Sequence, residues 1–150
     1  MKLFIIAVLF VNITAISGGN FERSEPDPVQ EIEAVIEILF DGMRTSGGDM
    51  VRSAVTDDVT LQTVQGNERV DSDMNRFIDS VEQSEPGSLD EQLTSLTIHV
   101  DGNLATAWMD YNFYYVGEFS HCGVNSMNLL NTGTGWKIFS IVDTRRQENC

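Results

Sequence analysis

Glu118-Phe119-Ser120-His121-Cys122-Gly123-Val124-Asn125, followed by Gly135-Trp136-Lys137-Ile138-Phe139-Ser140-Ile141-Val142-Asp143-Thr144-Arg145-Arg146, is the stretch whose reading decides the fold. Both segments are rich in β-branched and aromatic residues, and Asn131-Thr132-Gly133-Thr134 between them carries turn chemistry. They therefore read as neighbouring antiparallel strands. Moving towards the N-terminus, the run 104–115 ends at Val116-Gly117-Glu118, and the run 93–100 ends at Asp101-Gly102-Asn103, a strong hairpin signal. The last third of the chain is thus expected to be a meander of four long antiparallel strands.

The first part of the chain has the other periodicity. Asp27 can cap a helix, Pro28 suits its first position, and Gln30 stands where a capping box places Glu or Gln. Val29, Ile32, Val35, Ile36, Leu39, Phe40 and Met43 then recur at three- and four-residue spacing, one apolar stripe. Gly47-Gly48 ends that helix, and Asp49 is expected to cap a short second one through Val55. A strand over 59–64 and a short return near Arg69 and Val70 lead to a third helix, capped by Ser72, with Met74, Phe77, Ile78 and Val81 inward. Helices first and a strand meander after them predict an α+β domain: a curved antiparallel sheet with about three helices on one face.

Before the first helix, Lys2, the apolar run 3–11 and Ala15-Ile16-Ser17 have the layout of a secretory signal peptide, with cleavage before Gly18. Asn12 and Thr14 interrupt a run already shorter than the ~20 residues of a membrane span. The chain is accordingly divided into a signal peptide (1–17), a flexible leader (18–26), one domain (27–146) and a tail (147–150). The expected location is secreted or periplasmic. A formal charge of -14 over 150 residues repels nucleic acid and anionic membrane surfaces, so neither is expected as a partner. Cys122 and Cys150 are too few for a disulfide framework. Cys122 reads as a small core residue and Cys150 as the end of a polar tail, so no bridge is expected between them.

Side-chain chemistry gathers on the two opening strands. Adjacent strand residues point to opposite faces, which separates His121 from Cys122 and removes the thiolate–imidazole pair their adjacency suggests. His121 shares its face with Phe119, Gly123, Asn125, Met127 and Leu129. If a three-residue loop pairs Asn131 with Gly135, Gly123 faces Asp143, and Asp143 falls diagonally beside His121 and Asn125. A one-residue slip puts Val142 and Thr144 there instead. Under the first register Asp143 can orient and charge the imidazole, making His121 a candidate general acid or base. Arg145-Arg146 reads as a neutraliser of surface carboxylates rather than an anion clamp. Two well-separated histidines make no metal set, and no glycine loop for phosphate and no nucleophile elbow is present, so neither metal nor cofactor is expected. Trp108, Asp110, Asn112 and Tyr114 oppose Ala105, Ala107, Met109, Tyr111, Phe113 and Tyr115, and the last strand sets Trp136, Ile138 and Val142 against Phe139 and Ile141. Neither strand has a clean polar face, so a second subunit is the simplest cover for the side the helices leave open.

The order of elements resembles the nuclear transport factor 2-like superfamily, and within it the branch labelled putative lumazine-binding proteins. The residues carrying the resemblance are Ala34-Val35 and Phe40-Asp41-Gly42-Met43, Trp108 with Tyr111 and Phe113, Phe119 to Gly123, Gly135 to Ile138, and Asp143-Thr144-Arg145-Arg146. The resemblance implies a cone-shaped α+β fold with a ligand cavity between helices and concave sheet, and a homodimer through the convex face. It implies no reaction, because the acid–base groups of the fold's isomerases do not fall on matched motifs. Three functions are open on the sequence. The first is an exported small-molecule-binding protein whose pocket involves Phe40, Tyr111, Phe113, Asn125, His121 and Asp143. The second is a cofactor-free isomerase, dehydratase or cyclase using His121 and Asp143 for proton transfer and Tyr111 as a hydrogen-bond donor. The third is a structural or interaction module without ligand.

Overall fold

A computed structural model describes residues 27–150; the expected signal peptide and leader lie outside the described residues. Asp27 caps the first helix, accepting a hydrogen bond from the Val29 amide, with Pro28 at its start. Helix α1 (Pro28–Arg44) turns Ile32, Ile36, Leu39, Phe40 and Met43 into the core, as its apolar stripe requires. α2 (Gly48–Ala54) begins earlier than the sequence suggests, with Gly47 rather than Asp49 at its N-cap. Asp73, not Ser72, caps α3 (Met74–Gln83) through the Arg76 amide.

The strands are β1 (Val55–Gln65), β2 (Glu68–Ser72), β3 (Leu89–Leu93), β4 (Thr97–Asp101), β5 (Leu104–Tyr115), β6 (Glu118–Asn131) and β7 (Trp136–Thr144). They form one curved sheet in the order β2-β1-β7-β6-β5-β3, with β4 also paired to β5. The sheet is mixed rather than wholly antiparallel, because β1 runs parallel to β7. The single strand expected over 93–100 is two pieces of one interrupted edge. β3 pairs with the end of β5 and β4 with its beginning. Between them Ser95 donates to the Asp110 carboxylate at 2.6 Å and the Thr94 amide to the Asp110 carbonyl at 2.8 Å, so Asp110 holds the break.

One face of the sheet packs on the helices. Ala105, Ala107 and Met109 from β5, Met127 and Leu129 from β6 and Trp136, Ile138 and Ile141 from β7 join the helical stripe in one buried cluster. Truncating a residue such as Ile36 or Leu129, both fully buried, costs about 2–5 kcal/mol by lost burial and residual cavity. The opposite, convex face leaves Trp108 53% exposed and Leu104 51% exposed.

Two register shifts decide which side chains point inward. Beside β5, Phe113 pairs with His121 but Tyr114 pairs with Phe119, so Ser120 is an extra residue. That bulge turns Phe119 away from the face it was expected to share with His121, and its ring meets Tyr114 edge-on at 5.9 Å. Beside β7, Leu129 pairs with Ile138 but Asn128 with Ser140, leaving Phe139 as the extra residue. The bulge breaks the strict alternation of β7, so that Ile138 and Ile141 both face the core and Asp143 follows them. Asp143 consequently lies opposite Asn125, not Gly123.

The cysteines correct the sequence reading. Cys122 and Cys150 form a disulfide with Cα atoms 5.6 Å apart. Cys122 and Arg146 exchange backbone hydrogen bonds of 2.9 Å each, which extends the β7 pairing along β6 to the residue before the tail. A bridge spanning 28 residues stabilises the fold by about 3 kcal/mol through the entropy it removes from the unfolded chain. Cys150→Ser is expected to lower the unfolding free energy by that amount in urea denaturation. A loss under about 0.5 kcal/mol would mean that the backbone bridge alone holds the tail.

Candidate functional site

Between α1, α3 and the concave end of the sheet lies a cavity of about 220 Å³. Its apolar wall is contributed by Leu39, Phe40 and Met43 of α1, Phe77 of α3 and Phe113 of β5. The polar wall comes from four strands: Glu91 on β3, Tyr111 on β5, His121 and Asn125 on β6, Asp143 and the following Arg145 from β7. All six residues singled out from the sequence (Phe40, Tyr111, Phe113, His121, Asn125 and Asp143) line this one cavity.

Their pairing differs from the expectation. Asp143 accepts from Arg145 Nε at 2.7 Å through Oδ2, and Arg145, about half exposed, sits at the rim. His121 is not bonded to Asp143. Its Nδ1 shares a hydrogen bond of 3.0 Å with Ser120 Oγ, and its ring packs at a 40° tilt against Phe113 at 5.0 Å and meets Tyr111 edge-on at 5.8 Å. The register explains this, because Asn125 and not Gly123 stands opposite Asp143, which carries the carboxylate along β6 away from His121. Burial, and then the Arg145 charge, pushes the His121 imidazole below its ordinary value against the pull of Asp143. The neutral ring is therefore favoured.

Tyr111 is also committed elsewhere. Its hydroxyl donates to the Thr144 carbonyl at 2.9 Å, so the donor role expected of it is already occupied by the backbone. Burial, followed by the charges of Glu91 and Asp143, pushes its phenol up. Gly123 makes this contact sterically feasible. A Cβ there would overlap the Thr144 carbonyl oxygen and come within 2.8 Å of the Tyr111 hydroxyl.

Glu91 is the functional group that sequence reasoning misses. Asn125 Nδ2 donates to its Oε1 at 2.6 Å. The residue is half-buried, with its carboxyl on the inner side among the residues that line the cavity. Desolvation pushes it up to about 7, with the Asp143 charge adding to the effect and the Asn125 bond and Arg145 opposing it. A signal exists in the sequence. Period-two alternation sets Leu89, Glu91 and Leu93 on one face, a carboxylate between two leucines. Arg145 reads from the sequence as a neutraliser of surface carboxylates; its partner is instead the buried Asp143 of the cavity. Among the described residues no group of His, Cys, Asp or Glu is placed to hold a metal ion, and no helix is long and apolar enough to cross a membrane.

Comparison with known proteins fits this arrangement. The family described as "Putative lumazine-binding" matches residues 27–142. The chain belongs to that family. No curated protein matches it. Among solved structures, this putative lumazine-binding family member is similar to a nuclear transport factor 2-like protein of unknown function from Shewanella baltica OS155. The two are 19% identical with a TM-score of 0.63, over 83% of this chain and 100% of the other. It is similar also to a nuclear transport factor 2-like superfamily protein from Salmonella enterica serovar Typhimurium LT2, 17% identical with a TM-score of 0.64, over 82% and 94%. A third is a putative dehydratase of the nuclear transport factor 2-like family from Streptomyces avermitilis, 16% identical with a TM-score of 0.61, over 79% and 95%. At these identities the likeness establishes the fold: a nuclear transport factor 2-like α+β domain.

Glu91 makes stability depend on pH. Its folded-state value of about 7 lies above the ordinary 4.5, so the folded protein binds the proton more tightly between those values. The contribution is full below about 4.5 and is lost as pH rises through about 7, a total of about 3 kcal/mol. Glu91→Gln should flatten this slope in urea unfolding followed from pH 5 to 8, and should be the more stable protein at pH 8. An unchanged slope would place the raised value elsewhere.

Proposed function

We propose that the protein is an exported, dimeric binder of a compact small molecule held in the cavity between the helices and the concave sheet. The observation that carries this reading is the cavity itself. An aromatic and aliphatic wall faces convergent polar groups from four strands, the composition typical of small-molecule sites. Its 220 Å³ lies below the ~300–1,000 Å³ of pockets for drug-sized ligands, which favours one flat ring system without long substituents. The family's description makes a lumazine-type ring the first compound to try.

Cofactor-free proton transfer is the second reading. It is favoured by Glu91, whose carboxyl exchanges its proton near neutrality, as an acid–base catalyst at that pH requires. The likeness to the putative dehydratase from Streptomyces avermitilis points the same way. His121 and Asp143 would then position the substrate around Glu91, since Arg145 already holds Asp143. Titration calorimetry with a panel of compact heterocycles, on wild type, Glu91→Gln and His121→Ala, separates the readings. A binder is expected to take up a ring, without turnover, at micromolar affinity or tighter. Turnover by wild type that Glu91→Gln abolishes and His121→Ala weakens would instead establish the enzyme. A panel with neither binding nor turnover would leave a structural module.

Export is supported by the apolar N-terminal run and by the Cys122–Cys150 bridge, which suits an oxidising compartment. Dimerisation through the convex face is supported by the exposed Trp108, Leu104 and Phe119. The mature protein is expected to begin at Gly18 by mass spectrometry, and to sediment as a dimer that Trp108→Glu dissociates. A leader that remains attached, or a monomeric wild type, would remove the corresponding part of the reading.

A further inference from the structure

The cavity floor carries two carboxyl groups, and donors among the described residues engage one oxygen of each. Asn125 occupies Glu91 Oε1 at 2.6 Å, and Arg145 Nε occupies Asp143 Oδ2 at 2.7 Å. Asp143 is 6% exposed, and no donor among the described residues reaches its buried Oδ1. Of the surrounding donors, the Tyr111 hydroxyl is held by the Thr144 carbonyl and one Asn125 N–H by Glu91, while His121 Nδ1 shares its bond with Ser120. The helices bring no charge to the lining. Each carboxyl thus keeps an oxygen that no donor among the described residues meets, and a buried carboxylate oxygen without a donor is costly to leave unmatched.

We propose that this cavity selects its ligand by hydrogen-bond donors. The ligand class is a flat, uncharged heterocycle whose ring or exocyclic N–H groups, as in a ureide, an imide or an amino-substituted ring, reach Asp143 Oδ1 and the free oxygen of Glu91. This rests on the small-molecule reading above and narrows it. The same geometry disfavours carboxylates and phosphates. Two carboxyl groups face the site against a single guanidinium at its rim, whose Nε is held by Asp143, so the lining carries no surplus of positive charge for an anion. Phe113 and Phe40 supply faces for the ring.

Affinity should follow pH in a direction that donor recognition fixes. The charged or titratable groups facing Glu91 are Asp143 and Arg145 from the β7 side, Tyr111 from β5 and His121 from β6. A ligand N–H donated to Glu91 favours its ionised form, so affinity for an uncharged donor ring should rise with pH through about 7. A ligand that accepted from the protonated carboxyl would show the reverse.

The test is calorimetric titration at pH 7.5 with lumazine and its 1,3-dimethyl derivative, which keeps the ring and loses both N–H donors, alongside benzoate as a compact anion. Wild type is expected to prefer lumazine over the dimethyl compound by about 10- to 100-fold, the usual penalty for an unmatched buried acceptor. Glu91→Gln and Asp143→Asn each keep one oxygen for the existing partner and turn the other into an N–H. Both should collapse that preference to within about threefold, which separates a lost hydrogen bond from the added bulk of the methyl groups. Unfolding midpoints identify any variant that fails to fold, and either variant alone then suffices. Equal affinity of wild type for both rings, or tighter binding of benzoate, overturns the inference and leaves the binding reading intact. If neither ring binds while another compound does, the inference again falls alone. If nothing binds, both fall.

Discussion

A sheet that covers a helical layer on one side offers alternate residues to it, and β7 departs from that rule through the extra residue at Phe139. With Trp136 and Ile138 buried, strict alternation would send Asp143 to the convex face. The bulge resets the parity, so Ile141 and Asp143 join the inner row. The polar pairings of the cavity follow from that step. Asp143 comes to stand opposite Asn125, Asn125 reaches Glu91 and Arg145 closes over Asp143. The bulge at Ser120 does the complementary work on β6, keeping His121 inward while sending Phe119 out.

The resulting electrostatics divide the groups by task. Arg145 keeps a charged partner beside Asp143, whereas Glu91 has only a neutral amide and is pushed towards neutrality by burial. Two carboxyls on one floor thus acquire different surroundings, an arrangement that suits either graded recognition or proton exchange. His121, expected to pair with Asp143, packs instead against two aromatic side chains, with Ser120 on its Nδ1. The tail is part of the same construction. Backbone bonds between Cys122 and Arg146, reinforced by the disulfide, anchor the chain just beyond Arg145. That anchoring limits where the guanidinium at the cavity rim can go.

Much of this is legible in the amino-acid sequence, and the residues show why. The cap at Asp27, the three-to-four spacing from Ile32 to Met43 and the turn at Asp101-Gly102-Asn103 are local signals, carried by backbone preferences and by one element's periodicity. They yield the helices, the order of the meander and the face of each straight strand. The membership of the cavity wall is legible for the same reason, since Phe40, Tyr111, Phe113, His121 and Asn125 each lie on the inner face of an element. Glu91 is readable too, from its place between Leu89 and Leu93, although the sequence pattern sets the start of that strand too late in the chain.

The pairings within the wall, the parallel contact of β1 with β7 and the disulfide depend on where whole strands stop and slip relative to one another. A bulge costs little and shifts every later partner, and no local pattern near Phe139 or Ser120 records it. Likewise, Cys150 meets Cys122 only because the β7 pairing continues along β6 to Arg146, a contact between residues distant in sequence. By itself the sequence determined the helices, the strand order of the meander and the inward faces of the regular stretches, because those follow from short-range periodicity. Only the tertiary structure decided which inward side chains touch, because register is a property of two strands together.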